Sequence, residues 1–124
     1  MGDHRPYRLT QTAERDFRDA KNWSIKRWGR ELTQLYFQDL HDAALYVSKN
    51  HHSLRYREDL VAHTGLMIYP VREHYMVFLP AHEETIIIVA LIRQGRDIAA
   101  ILSRHAYQIS KEIKAVQMPS KAQE

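Results

Sequence analysis

Residues 86–91 read Ile-Ile-Ile-Val-Ala-Leu, and no other stretch restricts the possible folds so tightly. Read as a strand, the run places Ile86, Ile88, Ala90 and Ile92 on one face and Ile87, Val89 and Leu91 on the other, so both faces need cover. A second β-branched and aromatic run, Tyr75 to Leu79, precedes it. The intervening Pro80, Ala81, His82, Glu83 and Glu84 form a polar connection that predicts an antiparallel hairpin. After Leu91 the character switches to Arg93-Gln94-Gly95-Arg96-Asp97, where the glycine frees the backbone to turn and the aspartate can cap a following helix. A functional site is expected near that switch.

A chain of 124 residues supplies one packed core, so residues 1–124 are expected to form a single domain. Hydrophobic residues make up 44% and charged residues 27%, and no apolar run approaches the roughly 20 residues of a membrane-spanning helix. Residues 1–6 lack the apolar segment of a secretory signal and read as a disordered lead-in, which makes a cytoplasmic location the expectation. There is no cysteine, which removes disulfides, thiolate nucleophiles and thiolate metal sites together. The net charge of +3 is a mild basic excess, compatible with an acidic partner or with a merely soluble surface.

Along the chain, Tyr7-Arg8-Leu9-Thr10 alternates as an edge strand with Tyr7 and Leu9 inward. Thr10 or Thr12 can cap a helix in which Ala13, Phe17, Ala20, Ser24 and Trp28 recur at helical spacing, with Ile25 beside them, until Gly29 ends it. A second stripe, Leu32, Tyr36, Leu40, Ala43, Ala44 and Val47 with Phe37 on its shoulder, runs to the Lys49–Ser53 stretch, so a helical hairpin is expected. Residues 54–64 show no period and read as a loop or partial turn. Residues 65–71 resume a strand, and Arg72-Glu73 turns it into the strand starting near His74, giving a meander of three strands. From Asp97, the spacing of Ile98, Leu102, Ala106, Ile109, Ile113 and Val116 predicts one amphipathic helix to about Gln117, stopped by Pro119, with a frayed tail over 120–124. The helical hairpin covers one face of the sheet, which leaves the C-terminal helix or another molecule for the other. We expect that helix to dock on the chain's own sheet or hairpin through Leu102, Ile109 and Ile113. The fold class is therefore α+β: a strand, a helical hairpin, then a small, mainly antiparallel sheet and a C-terminal helix.

No phosphate-binding glycine loop, zinc-ligand spacing or serine elbow occurs. His51 and His52 are adjacent and point apart, and His41 and Asp42 lack a partner at helical spacing, so neither a metal nor any other cofactor is expected. Hairpin pairing could bring Arg72, Glu73, His74 and Tyr75 to one sheet edge with Arg93, Arg96 and His105. Such a group could support metal-free acid–base cleavage of RNA, or its arginines could be solvated charges beside a helix cap.

The order of these elements and their residues resembles the ParE branch of the RelE/ParE superfamily of bacterial toxins, from Tyr7 to about Ser103. Leu9-Thr10 leading into Ala13, Glu14, Asp16 and Phe17, the closing Arg27-Trp28-Gly29, Ile68-Tyr69-Pro70-Val71, Tyr75-Met76-Val77-Phe78 and the turn ending at Asp97 carry the resemblance. Arg93 stands where many relatives have histidine, Pro80 is atypical, and residues 104–124 form a longer C-terminal extension. The resemblance implies the toxin of a type II toxin–antitoxin pair, which inhibits growth by binding DNA gyrase and is held in a hetero-oligomer by a small ParD-like antitoxin. The alternatives are a RelE-type, ribosome-dependent mRNA endonuclease and an inactive binding module. Arg93, Arg96, Tyr75 and Arg72 are the expected target-binding residues, and Phe17, Tyr36, Phe37, Leu40 and Phe78 the expected antitoxin-binding ones. No catalytic residue is assigned, because Tyr75, Met76 and Val77 stand where a nuclease would need cations. The antitoxin is expected to lay an amphipathic helix in an apolar groove between the helical hairpin and the sheet, with a strand added to an exposed edge; without it, the doubly apolar strand is expected to leave an apolar face exposed.

Overall fold

The computed structural model describes residues 5–54, 61 and 64–117. Most of the lead-in over 1–6, most of the stretch over 54–64, Pro119 and the tail over 120–124 lie outside the described residues. The elements in chain order are β1 (Tyr7–Leu9), α1 (Gln11–Trp28), α2 (Arg30–Asn50), a short 3-10 turn (His51–Ser53), β2 (Met67–Val71), β3 (His74–His82), β4 (Thr85–Arg93), α3 (Ile98–Arg104) and α4 (Ala106–Gln117). One four-stranded sheet has the order β1-β4-β3-β2. The meander β2-β3-β4 is antiparallel, while β1 runs parallel to β4, so the sheet is mixed.

Local chemistry explains the helix limits. The Thr10 hydroxyl accepts the Ala13 N–H at the start of α1, and Gly29, at φ 86°, makes the sharp break between the hairpin helices. Ala13, Ala20 and Ser24 of α1 and Tyr36, Leu40, Ala44 and Val47 of α2 are buried on one face of the sheet with Met76, Phe78, Ile86, Ile88 and Leu91. Leu32, placed in this stripe by its spacing, is 54% exposed instead, and Thr33 takes the inward position.

Strict alternation in β4 also fails midway. Val77 pairs with Ala90 but Phe78 with Ile88, so Val89 is an extra residue, a β-bulge. Ile86, Ile88 and Leu91 therefore face the helical hairpin, while Ile87, Val89, Ala90 and Ile92 face the other way. At the far end, β3 extends through Pro80 and Ala81 to His82, leaving Glu83-Glu84 as the turn and Ala81 in a second register shift. Pro80 is tolerated there because β2 pairs with β3 only up to Phe78, so beyond it β3 has, among the described residues, a strand on one side alone.

The second face is covered from within the chain. Ile98 and Leu102 of α3 and Ile109 of α4 are buried against Ile87, Val89 and Ile92, with Ile113 and Val116 packed beside them. Docking through Leu102, Ile109 and Ile113 is what the stripe predicts, but it occurs through two helices, divided at His105. No face of the last strand remains open for an antitoxin, and the expectation of an exposed apolar sheet loses its basis. Each large side chain buried this way stabilises by about 1.5–3 kcal/mol.

Glu112 ties α4 to the start of α1. Its carboxylate accepts the Thr12 N–H at 2.8 Å, the Thr12 hydroxyl at 2.9 Å and the Gln108 amide at 2.8 Å, so it satisfies an orphan donor at the positive end of a helix. Burial works to raise its pKa, but the hydrogen bonds from Gln108 and Thr12 prevail and hold it below the ordinary carboxylate value. A depressed carboxyl stabilises the fold fully above its unfolded pKa and loses that contribution as pH falls through the folded value. The melting temperature of Glu112→Gln should therefore lie below that of the wild type at pH 7, with the gap closing towards pH 3. A gap independent of pH would show that the charge at 112 does not matter.

Candidate functional site

The turn after β4 and the turn between β2 and β3 lie at the same end of the sheet. Gln94 joins them: its N–H donates to Glu73 C=O at 2.8 Å, and its side-chain amide to Arg72 C=O at 2.8 Å and His74 C=O at 3.1 Å. These bonds hold Arg72 at φ 55°, a conformation uncommon for a residue with a side chain. The Arg72 guanidinium bonds Asp39 of α2 at 2.6 Å.

Beside this end, a groove of about 490 Å³ opens between α1, the last residues of β4 and the pair α3–α4. Arg15, Asp16, Asp19 and Trp23 line it from α1, Arg93 and Arg96 from the end of β4 and its turn, and His105 and Gln108 from the C-terminal helices. The Arg93 guanidinium lies 4.8 Å from the centre of the Trp23 ring, and Arg27 is 5.2 Å from the same ring. Such stacking fixes a long cationic side chain that would otherwise sample many rotamers. Asp16 accepts the Leu91 N–H at 3.0 Å; burial raises its carboxyl pKa, offset in part by this bond and by Arg15.

His74 also lines the groove but is buried at 4% exposure, and its Nδ1 is hydrogen-bonded to the Tyr36 hydroxyl. Burial pushes Tyr36 up to about 12, so it keeps its proton. Donation of that proton to Nδ1 leaves the neutral ring its own proton on Nε2. Burial and the neighbouring Arg93 both lower the pKa of His74, opposed by Glu73. The pair is thus neutral at pH 7 and presents no basic nitrogen.

The structure brings Arg93 and Arg96 together in the groove. Arg72 stands at the same end of the sheet, engaged with Asp39, while Tyr75 is half-buried on the opposite face against the second core. Of the residues expected to meet an antitoxin, Leu40 and Phe78 are wholly buried and Tyr36 nearly so, which leaves them no surface to offer. Phe17 and Phe37 are half-buried and meet edge to face at 6.2 Å. Neither Trp23 nor Asp16, which carries only the family resemblance, is among the expected site residues, because both lie on the flank of the apolar stripe. The signal was the spacing of Asp16, Asp19 and Trp23, which aligns them along one line of the helix. Two further histidines have ordinary partners: His41 Nδ1 is 2.7 Å from the Tyr7 hydroxyl, and His51 Nε2 is 2.8 Å from His82 C=O.

A family model described as the ParE toxin of the type II toxin–antitoxin system parDE matches residues 7–98. Among solved structures, a chain of the "Chromosomal ParDE TA system from P. aeruginosa" is similar, with a TM-score of 0.58 and 16% identity over 70% of this chain and 92% of that one. At that identity the likeness speaks for the fold. No curated protein matches the chain. The helices α3 and α4 lie almost wholly beyond the matched residues.

Proposed function

The chain belongs to the ParE toxin family of type II toxin–antitoxin systems, and we propose that it inhibits growth by binding DNA gyrase, without catalysing a reaction itself. It acts in the cytoplasm and is neutralised there, in a hetero-oligomer, by a small ParD-like antitoxin. The observation that carries the reading is Arg93, exposed at the end of β4 and stacked on Trp23, with Arg96 in the same groove: a fixed cationic feature suited to an acidic surface. RNA cleavage is disfavoured by the neighbouring pair. Tyr36 keeps its proton, and His74 is buried and neutral with its Nδ1 engaged, so neither supplies a general base. Met76 and Val77 are fully buried, where a nuclease would present cations to the developing phosphorane.

For the antitoxin, an amphipathic helix fits the groove between α1 and α2, where Ile25 and Phe37 supply apolar surface between Lys21, Arg30 and Gln34. The test is expression without the antitoxin, followed by gyrase supercoiling and ribosome-associated mRNA assays on the same cells. Lost supercoiling with intact mRNA is expected. Intact supercoiling with codon-positioned cuts would establish the endonuclease instead, and unimpaired growth would indicate an inactive binding module.

A further inference from the structure

β1 pairs with β4 only as far as Ile88. Thr10 ends the pairing, its N–H donating to Ile88 C=O at 3.0 Å and its hydroxyl to Val89 C=O at 3.2 Å, and the chain then turns into α1. Residues 90–93 thus have β3 on one side and, among the described residues, no strand on the other. Backbone groups along a strand point alternately to its two sides. The Leu91 N–H points away from β3, because Asp16 accepts it, so Leu91 C=O and Arg93 N–H point the same way, into the groove.

An acceptor and a donor flanking one residue, here Ile92, are the two groups that a single residue of a parallel neighbour engages. An antiparallel neighbour would need both the N–H and the C=O of Leu91 or of Arg93, but Asp16 holds the Leu91 N–H and the Arg93 C=O already accepts the Arg96 N–H at 3.3 Å. We infer that the groove receives an extended acidic segment of the target protein, running parallel to β4 and continuing the direction of β1; this rests on the reading that the toxin acts by binding a protein. Edge strands are ready templates for such addition, and the walls of α1 and α4 confine it to one short segment. The charge of the groove selects the segment. Three cations, Arg15, Arg93 and Arg96, stand there against two carboxylates, Asp16 and Asp19, so a carboxylate on the incoming strand is favoured. A DNA backbone fits less well: phosphate oxygens only accept hydrogen bonds, which leaves Leu91 C=O unpaired.

Amide hydrogen exchange on the toxin alone, with purified gyrase and with duplex DNA alone tests this. The Arg93 amide should exchange about tenfold more slowly with gyrase and unchanged with DNA. A gyrase complex that leaves Arg93 exchange unaltered would overturn the strand pairing while the gyrase reading stands, whereas absence of any complex would overturn both. Slowing by DNA alone would assign the groove to phosphates. A second comparison isolates the N–H. Arg93→Ala and Arg93→Pro both lose the guanidinium, but only proline also loses the donor, at an edge position where proline is tolerated. With both variants folded by melting, the proline form should bind gyrase about fivefold more weakly than the alanine form; equal affinities would contradict the inference. Should the proline form not fold, the exchange result decides alone.

Discussion

Replacing Ile109 by aspartate should lower the stability of the isolated chain by about 3–4 kcal/mol, or roughly 10–15 °C in melting temperature. Ile109 is 8% exposed and packs in the second core with Leu102, on the face of the sheet that carries Ile87, Val89 and Ile92. The substitution removes a buried aliphatic side chain and places a carboxylate among apolar atoms, and both effects act in the same direction. The control is Ser110→Asp, one position along on the exposed side, which should stay within about 0.5 kcal/mol of the wild type. A melting temperature unchanged by Ile109→Asp, with partner binding weakened, would assign α4 to an interface rather than to the fold.

The extent to which such packing is legible depends on what the pattern encodes. The doubly apolar run 86–91 calls for cover on both sides, and the hairpin and C-terminal stripes supply it. The bulge at Val89 is invisible to a two-residue period, because every residue from Ile86 to Ile92 is apolar and a slip of one leaves an equally apolar face. Apolar periodicity through Ala106 likewise hides the break at His105, where the helix redirects so that Ile109 and Glu112 reach the sheet and α1. The site was half legible. Arg93 and Arg96 announce themselves at a glycine turn, whereas Tyr75 was drawn in by its place beside His74, although alternation sends it to the other face. Phe78 and Leu40 were read as partner contacts because an aromatic or leucine on an apolar stripe looks the same whether the stripe meets its own sheet or another chain. Trp23 and Asp16 needed coordinates, since their roles arise from contacts with residues 70 and 75 positions away.

The double substitution Arg93→Ala with Arg96→Ala should weaken gyrase binding by about 10- to 100-fold while shifting the melting temperature by only about 2 °C. Both side chains are exposed, so their removal opens no cavity, and the folding cost is limited to the Arg93–Trp23 stacking, about 0.5–1 kcal/mol. At a protein interface the balance reverses, because fixed arginines that pair with carboxylates contribute far more to binding than to folding. The most direct measurement is gyrase supercoiling with purified components, titrated with wild-type toxin and with the folded double variant. Inhibition by the wild type, with a concentration dependence displaced about 10- to 100-fold for the variant, is the predicted result. Equal inhibition by both would contradict the placement of the target at the end of β4, and supercoiling unaffected by the wild type would contradict gyrase as the target.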